Sequence, residues 1–240
     1  MGAAACGTGY RLFIANKNYS SWSLRPWVLM RELGIDFSEV LTPFVEGPSG
    51  SSAALFSAFS PTAKVPCLHH DGLVVWETPA IAEYLAERHP GVWPEKPAAR
   101  AFARSAVAEM HAGFAALRNI CSMNCGLRIR VFPEKLESLS QDLTRLTALW
   151  REGLISFGGP FLAGDRFGAV DAFFAPVAFR VQSYGLELEP FAMAYVERLL
   201  ALPSMREWYA SALSETWRDP YHEADALSSG NLLEDVRGRT

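Results

Sequence analysis

Residues 90–97, PGVWPEKP, carry three prolines and one glycine in eight positions. No regular element runs through such a stretch, because proline has no N–H to donate and disfavours helical geometry in the residue before it. The break divides the chain into halves of different pattern. Before it, residues 10–15 (YRLFIA) form an apolar, strand-like run, and Leu24, Trp27, Val28, Met30 and Leu33 then recur at helical spacing. Ser23 is the expected cap of that helix, Pro26 falls in its first turn, and Gly34 ends it in the left-handed conformation. A second strand is expected at residues 37–42 and an irregular segment at residues 47–52 (GPSGSS). CLHH and LVVW then flank Asp71-Gly72, the favoured pair for a type I′ hairpin turn, and Thr78-Pro79 opens a helix with proline at its first position. The order is βαβ, then ββα, too short for a full dinucleotide-binding domain. Beyond the break, helices are expected at residues 98–121, 133–157, 171–184, 191–201 and 204–213, with a polar, loosely held tail after Pro220.

This pattern predicts an α/β unit over residues 9–89, a linker over 90–97, an all-helical domain over 98–220 and a tail over 221–240. Across 240 residues, half are hydrophobic, 15 are Phe, seven Trp and seven Tyr, which suits a globular chain with a sizeable core. No apolar run approaches the roughly 18 residues of a membrane-spanning helix. The net charge is −4, and only four of the 22 basic residues are Lys, so no dense basic stripe is available for nucleic-acid phosphates. The start, MGAAACGTGY, reads as a floppy leader without the basic and long apolar stretches of a secretory signal. Cys6, Cys67, Cys121 and Cys125 are too few and too irregular for a disulfide scaffold, and a reducing cytoplasm is the expected location.

Several chemistries lack their residues. His69 and His70 point to opposite faces of a strand, and Cys121 with Cys125 has no second ligand pair at zinc spacing, so no metal site is expected. Gly7-Thr8-Gly9 precedes a strand instead of following one, and neither a GxxxxGK[ST] loop nor a GxSxG elbow is present.

Four pieces agree in order and spacing with one family: SSWSLR (residues 20–25) after the first strand, Lys64-Val65-Pro66 before the third, Glu77-Thr78 after the fourth, and Gly164-Asp165 followed by Ala169-Val170-Asp171. Over residues 10–213 the chain resembles the glutathione transferases, a thioredoxin-like N-terminal domain followed by a C-terminal helical bundle. The first piece is most similar to the serine-type, zeta-like and related bacterial members, whose SSCSxRVR appears here as SSWSLRPW. The resemblance implies glutathione as co-substrate, a small electrophile as second substrate, and a homodimer. It also leaves a second possibility: the same fold kept as a non-catalytic binding or assembly module.

Carried over residue by residue, the family pattern puts the thiol-activating hydroxyl five residues before the helix-one arginine. Arg25 minus five is Ser20, with Ser21 as second candidate. Hydroxyls and free N–H groups at a helix start favour an anion, although such serines more commonly satisfy loop and cap groups. The resemblance implies a cis Val65-Pro66 bond, with the Val65 backbone pairing with the cysteinyl part of glutathione and Lys64 reaching its glycine carboxylate. Thr78 would bind the γ-glutamyl carboxylate, and Glu77 would orient the same end. Asp171, with Gly168 three residues before it, is implied as a buried capping residue. His111 and Arg118, seven apart on one expected helix, would share a face and present positive charge to an acidic substrate, although ordinary surface and inter-helix contacts explain such residues equally well.

Overall fold

The computed structural model describes residues 9–45 and 51–238. The leader with Cys6, and residues 47–50 of the segment expected to be irregular, lie outside the described residues. Strand β1 (Tyr10–Ile14) leads to helix α1 (Ser21–Glu32) and β2 (Phe37–Leu41), followed by α2 (Ser51–Phe56), β3 (Cys67–His70), β4 (Leu73–Trp76) and α3 (Thr78–Ala86). After the proline-rich segment come α4 (Pro97–Ala112), α5 (Ala115–Ile120), β5 (Leu127–Val131), α6 (Pro133–Phe157), α7 (Ala169–Tyr184), α8 (Pro190–Ala201), α9 (Pro203–Ser214), α10 (Pro220–Leu227) and β6 (Gly230–Asp235). No described helix is long and apolar enough to cross a membrane.

The first sheet has the order β2-β1-β3-β4, with β1 parallel to β2 and antiparallel to β3. The βαβ and ββα units expected from sequence therefore share one mixed sheet. At the β3–β4 turn both Asp71 (φ 49°) and Gly72 (φ 78°) lie at positive φ, as a type I′ turn requires. Gly34 (φ 64°) follows α1 in the left-handed region, where a Cβ would be strained.

Helix α1 is buried on nearly every side. Leu24, Trp27 and Val28 are fully buried, and α1 also packs on α7, in which every residue but Gln182 is buried. Each fully buried apolar side chain contributes about 1.5–3 kcal/mol, so this α1–α7 contact is a main source of cohesion between the α/β half and the helices. Asp171 is the polar anchor of α7: its carboxylate accepts from the N–H groups of Leu162 and Gly168, both at 3.0 Å, and from the Tyr195 hydroxyl at 2.7 Å. A Cβ on Gly168 would meet the Val92 carbonyl at 3.2 Å, so glycine there lets the linker lie against the start of α7.

Four expectations need correction. Helix α1 begins at Ser21 with Ser20 as its cap, so Ser23 is not the cap and Pro26 lies in the helix interior. Ser23 instead ties the helix to the end of β1, its Oγ accepting from the Ala15 N–H at 3.3 Å. The helix expected at residues 98–121 breaks at Gly113, and Phe114 takes a left-handed conformation (φ 52°), its ring packed edge-on against Phe174. His111 and Arg118 therefore lie on separate helices and share no helix face. The second half is not all-helical, because β5 and β6 form an antiparallel pair. Nor is the region after Pro220 loosely held: it supplies α10 and β6, and the Arg237 side chain, only 4% exposed, bridges Glu223 and Asp235.

Candidate active site

The loop between β1 and α1 is held by residues from the far end of the chain. The Glu215 carboxylate accepts from the backbone N–H groups of Lys17 (2.6 Å) and Asn18 (3.3 Å), and Trp208 Nε1 donates to the Lys17 carbonyl at 2.9 Å. Asn18 Nδ2 donates to Asn124 Oδ1 at 3.0 Å, while Asn18 Oδ1 accepts from the Gly126 N–H at 2.9 Å. The Tyr19 hydroxyl donates to Glu223 Oε1 at 2.6 Å, and Arg237 bonds both oxygens of the same carboxylate. Burial would raise the Glu223 pKa, but hydrogen bonds from Arg237 and Tyr19 outweigh it and hold the carboxyl below its usual value. The loop thus delivers the two candidate serines from a fixed backbone.

Those serines differ in what their hydroxyls do. Ser20 is buried and donates its proton to Ser23 Oγ at 2.7 Å. Ser21, the first residue of α1, accepts a 3.4 Å hydrogen bond from Arg180 Nη2. That bond uses a lone pair of Ser21 Oγ and leaves its O–H available to donate.

Three guanidinium groups lie at the start of α1, Arg180 against Ser21 and the other two against the ring of Trp22. Arg25 is 1% exposed and stacks on Trp22, 4.0 Å from the ring centre, with Phe173 at 5.1 Å. Arg118 lies 5.5 Å from the same Trp22 ring, and Arg180 donates through Nε to the Cys121 carbonyl at 2.7 Å. Burial, reinforced by Arg180 and Arg118, pushes the Arg25 pKa well down. Burial likewise brings Arg180 down to about 10. His111 meets Trp22 edge-on, and its Nε2 lies 3.8 Å from Glu77 Oε2. Burial first and Arg25 next lower its pKa, against the pull of Glu77. The structure thus brings His111 and Arg118 to one place across the helix break, with Arg118 Nη1 3.4 Å from the His111 carbonyl.

The remaining expected residues lie around β3 and β4. Val65-Pro66 is a cis peptide, and Lys64 is exposed. Glu77 holds φ 65°, a left-handed conformation that costs a non-glycine residue on the order of 1–3 kcal/mol. This strain turns the chain sharply into α3. Thr78 follows, 1% exposed, and its Oγ1 has no hydrogen-bond partner in the protein. A buried hydroxyl beside the free N–H groups of a helix start fits a ligand carboxylate. No group of three or more His, Cys, Asp or Glu among the described residues is arranged to hold a metal ion.

Residues 19–88 match the family described as Glutathione S-transferase, N-terminal domain, and residues 82–211 match Glutathione S-transferase, C-terminal domain. The chain belongs to the glutathione S-transferase family. The activity this supports is glutathione transfer, at the level of the family. Among similar proteins, the maleylacetoacetate isomerase of Rattus norvegicus is 24% identical over 191 residues, covering 78% of this chain and 87% of that protein. A stringent starvation protein A homolog of Haemophilus ducreyi is 29% identical over 139 residues, covering 55% and 59%. A solved glutathione transferase from Methylococcus capsulatus is 25% identical with a TM-score of 0.62, covering 85% of this chain and 98% of that one. A glutathione transferase homolog from Burkholderia, solved with bound glutathione, shares the fold at 24% identity and a TM-score of 0.62, covering 85% and 97%.

Two side chains of this glutathione S-transferase site escape the sequence reading. Arg180 is the one charged residue in the stretch after Asp171, AFFAPVAFRVQSY, and a cation in such an apolar run signals a buried role. The other is Trp22, whose ring is the platform on which Arg25, Arg118 and His111 converge.

Proposed function

We propose that this chain binds glutathione across Val65, Glu77 and Thr78, lowers the pKa of its thiol at Ser21, and directs the thiolate to a small electrophile. The buried, unpartnered Thr78 hydroxyl at the start of α3 carries the reading, because glutathione offers the carboxylate that would complete it. Glu77 supports the ammonium of the same γ-glutamyl end, the Val65 backbone pairs with the cysteinyl part, and Lys64 serves the glycine carboxylate. Ser21 is preferred over Ser20 as donor, since the Ser20 proton is engaged by Ser23 while Ser21 keeps its own.

A free thiol with a pKa near 8.5 needs about 2.7 kcal/mol of preferential thiolate stabilisation to reach roughly 6.5. One hydrogen bond to the charged form supplies about 1.5–3 kcal/mol and the N-terminus of α1 about 0.3–1 kcal/mol, which together meet that requirement. The thiolate sulfur bonds to the electrophilic carbon. In conjugation a leaving group departs with its electron pair, or the neighbouring carbon gains a proton. In isomerisation the new C–S bond breaks again and glutathione is returned. Ser21→Ala is expected to raise the pKa of bound glutathione, followed by thiolate absorbance against pH, and to lower kcat at least about tenfold with little change in glutathione affinity. A larger kinetic loss in Ser20→Ala would return the role to Ser20. The second reading, a non-catalytic module, draws support from the engagement of Ser20 with Ser23, and a wild-type protein that binds glutathione without lowering its thiol pKa would establish it.

We further infer a homodimer that uses glutathione as its co-substrate and a small electrophile as its second substrate. The edge strand β4 supports the dimer, since Leu73 (52%) and Trp76 (41%) are exposed there.

A further inference from the structure

We propose that Tyr19, Glu223 and Arg237 are positioning residues for thiol activation: a chain of side-chain bonds from the end of the protein fixes the backbone from which Ser21 presents its hydroxyl. The inference rests on the reading above, in which the chain binds glutathione and Ser21 is the donor to its sulfur.

The first observation is where these bonds originate. The two family matches cover residues 19–88 and 82–211, so Glu223 and Arg237 lie beyond both. Glu223 nevertheless accepts a hydrogen bond from the Tyr19 hydroxyl at 2.6 Å, and the Asp219 N–H donates to the same phenol oxygen at 3.3 Å. Arg237 bonds both Glu223 oxygens and Asp235, and Asn124 Nδ2 donates to Glu223 at 3.2 Å. Gly126 leaves room for this chain, since a Cβ there would stand 2.3 Å from Arg237 Cδ and displace the side chain. The same glycine donates its N–H to Asn18 Oδ1 and accepts at its carbonyl from the Val236 N–H, both at 2.9 Å, so the tail and the loop meet at one residue.

The second observation is how directly Tyr19 governs Ser21. The N–H groups of Tyr19 and Ser20 turn back onto the Asn16 carbonyl at 3.2 and 2.9 Å, and the Ser21 N–H donates to the Tyr19 carbonyl at 2.9 Å. A shift of Tyr19 is therefore carried through one tight turn into the first residue of α1. Hydrogen bonds weaken steeply with misalignment, and about 1 Å of misplacement can cost roughly 100-fold in rate.

The third observation separates positioning from donation. Tyr19, Ser20 and Ser21 carry three consecutive hydroxyls. Tyr19 is 4% exposed, its ring stacks on His222, and its proton is directed at a carboxylate. Burial, reinforced by Glu223, pushes the Tyr19 pKa up to about 12, so the phenol keeps that proton and has no second one for a thiolate. What the chain transmits to Ser21 is geometry.

The test follows the thiolate absorbance of bound glutathione against pH in the full-length protein. Tyr19→Phe deletes one hydroxyl and leaves Glu223 paired with Arg237. It is expected to raise the thiol pKa by at least about half a unit, roughly a threefold loss of preference for the thiolate. The glutathione Kd should stay within about threefold at about pH 5.5, where the bound thiol is largely protonated. Arg237→Leu should move the thiol pKa in the same direction. In a Ser21→Ala background Tyr19→Phe should add nothing, because it acts only through Ser21. An unchanged thiol pKa in Tyr19→Phe would overturn the proposal and leave the tail a structural clamp. A further rise in the Ser21→Ala background would also overturn it, giving Tyr19 its own bond to the sulfur. A wild-type thiol pKa in folded Arg237→Leu would overturn the part assigned to the far end of the chain. Ser21→Ala with the wild-type thiol pKa, or a wild type that binds no glutathione, would instead remove the reading on which the positioning role rests.

Discussion

Thr78→Val separates a residue kept for binding from one kept for folding, because the structure predicts opposite effects on the two. Valine replaces a hydroxyl by a methyl of similar size and keeps the β-branched shape. The lost hydroxyl is buried and bonds nothing in the protein, so the free protein already bears the cost of an unsatisfied polar group, about 1–3 kcal/mol. Its removal should leave the ligand-free melting temperature unchanged or raise it by about 2–4 °C for each kcal/mol recovered, the sensitivity of a chain of this size. Glutathione affinity should move the other way. Losing a hydrogen bond to a charged carboxylate costs about 1.5–3 kcal/mol, or roughly 10- to 150-fold in Kd. Thermal melts without ligand, paired with calorimetric titration of glutathione, measure both numbers. A melting temperature lowered by several degrees with Kd unchanged would refute the reasoning: Thr78 would then be a helix-start residue only, and the γ-glutamyl end would bind elsewhere.

Two further outcomes are expected. Glu223 has its carboxyl held below the usual 4.5, so its stabilising effect is present above that pH and is lost as pH falls through the lower folded value. Denaturant unfolding at a series of pH values should therefore show wild-type stability falling as the pH drops below 4.5, with a shallower fall in Arg237→Leu; parallel curves would detach Glu223 from that effect. Light scattering should give twice the 26.5 kDa chain mass at micromolar concentration, and a monomer would count against the dimer.

What the sequence makes legible follows from how local each signal is. Gly34 and Asp71-Gly72 act through their own backbone preferences, and the structure has the expected stop and turn there, while the helix expected at Thr78-Pro79 starts one residue early, with Glu77 in place of Thr78 as its cap. Ser23 misleads because a serine near a helix start reads as a cap, whereas its real partner, Ala15, lies just past the preceding strand. The break at Gly113-Phe114 is hidden because phenylalanine rarely adopts positive φ, and the α4–α5 segment is otherwise continuous in its apolar spacing. The β5–β6 pair shows the same limit over a longer range. LRIRV alternates as a strand should, but its partner lies about a hundred residues later and carries little pattern of its own. Arg25 reads in sequence only as a spacing mark for Ser20, since nothing in the linear order places it against Arg118 and Arg180.

The bonds that fix the Lys17–Tyr19 backbone have a consequence in time. Tyr19 and its acceptor Glu223 are 204 residues apart in sequence. At about 5–20 residues per second, translation takes roughly 10–40 s to cover that distance. The strands and first helices emerge early, yet Glu215, Glu223 and Arg237 must all be made before the serine-bearing loop has its anchors. The Lys17–Tyr19 backbone therefore gains its anchors only late in synthesis.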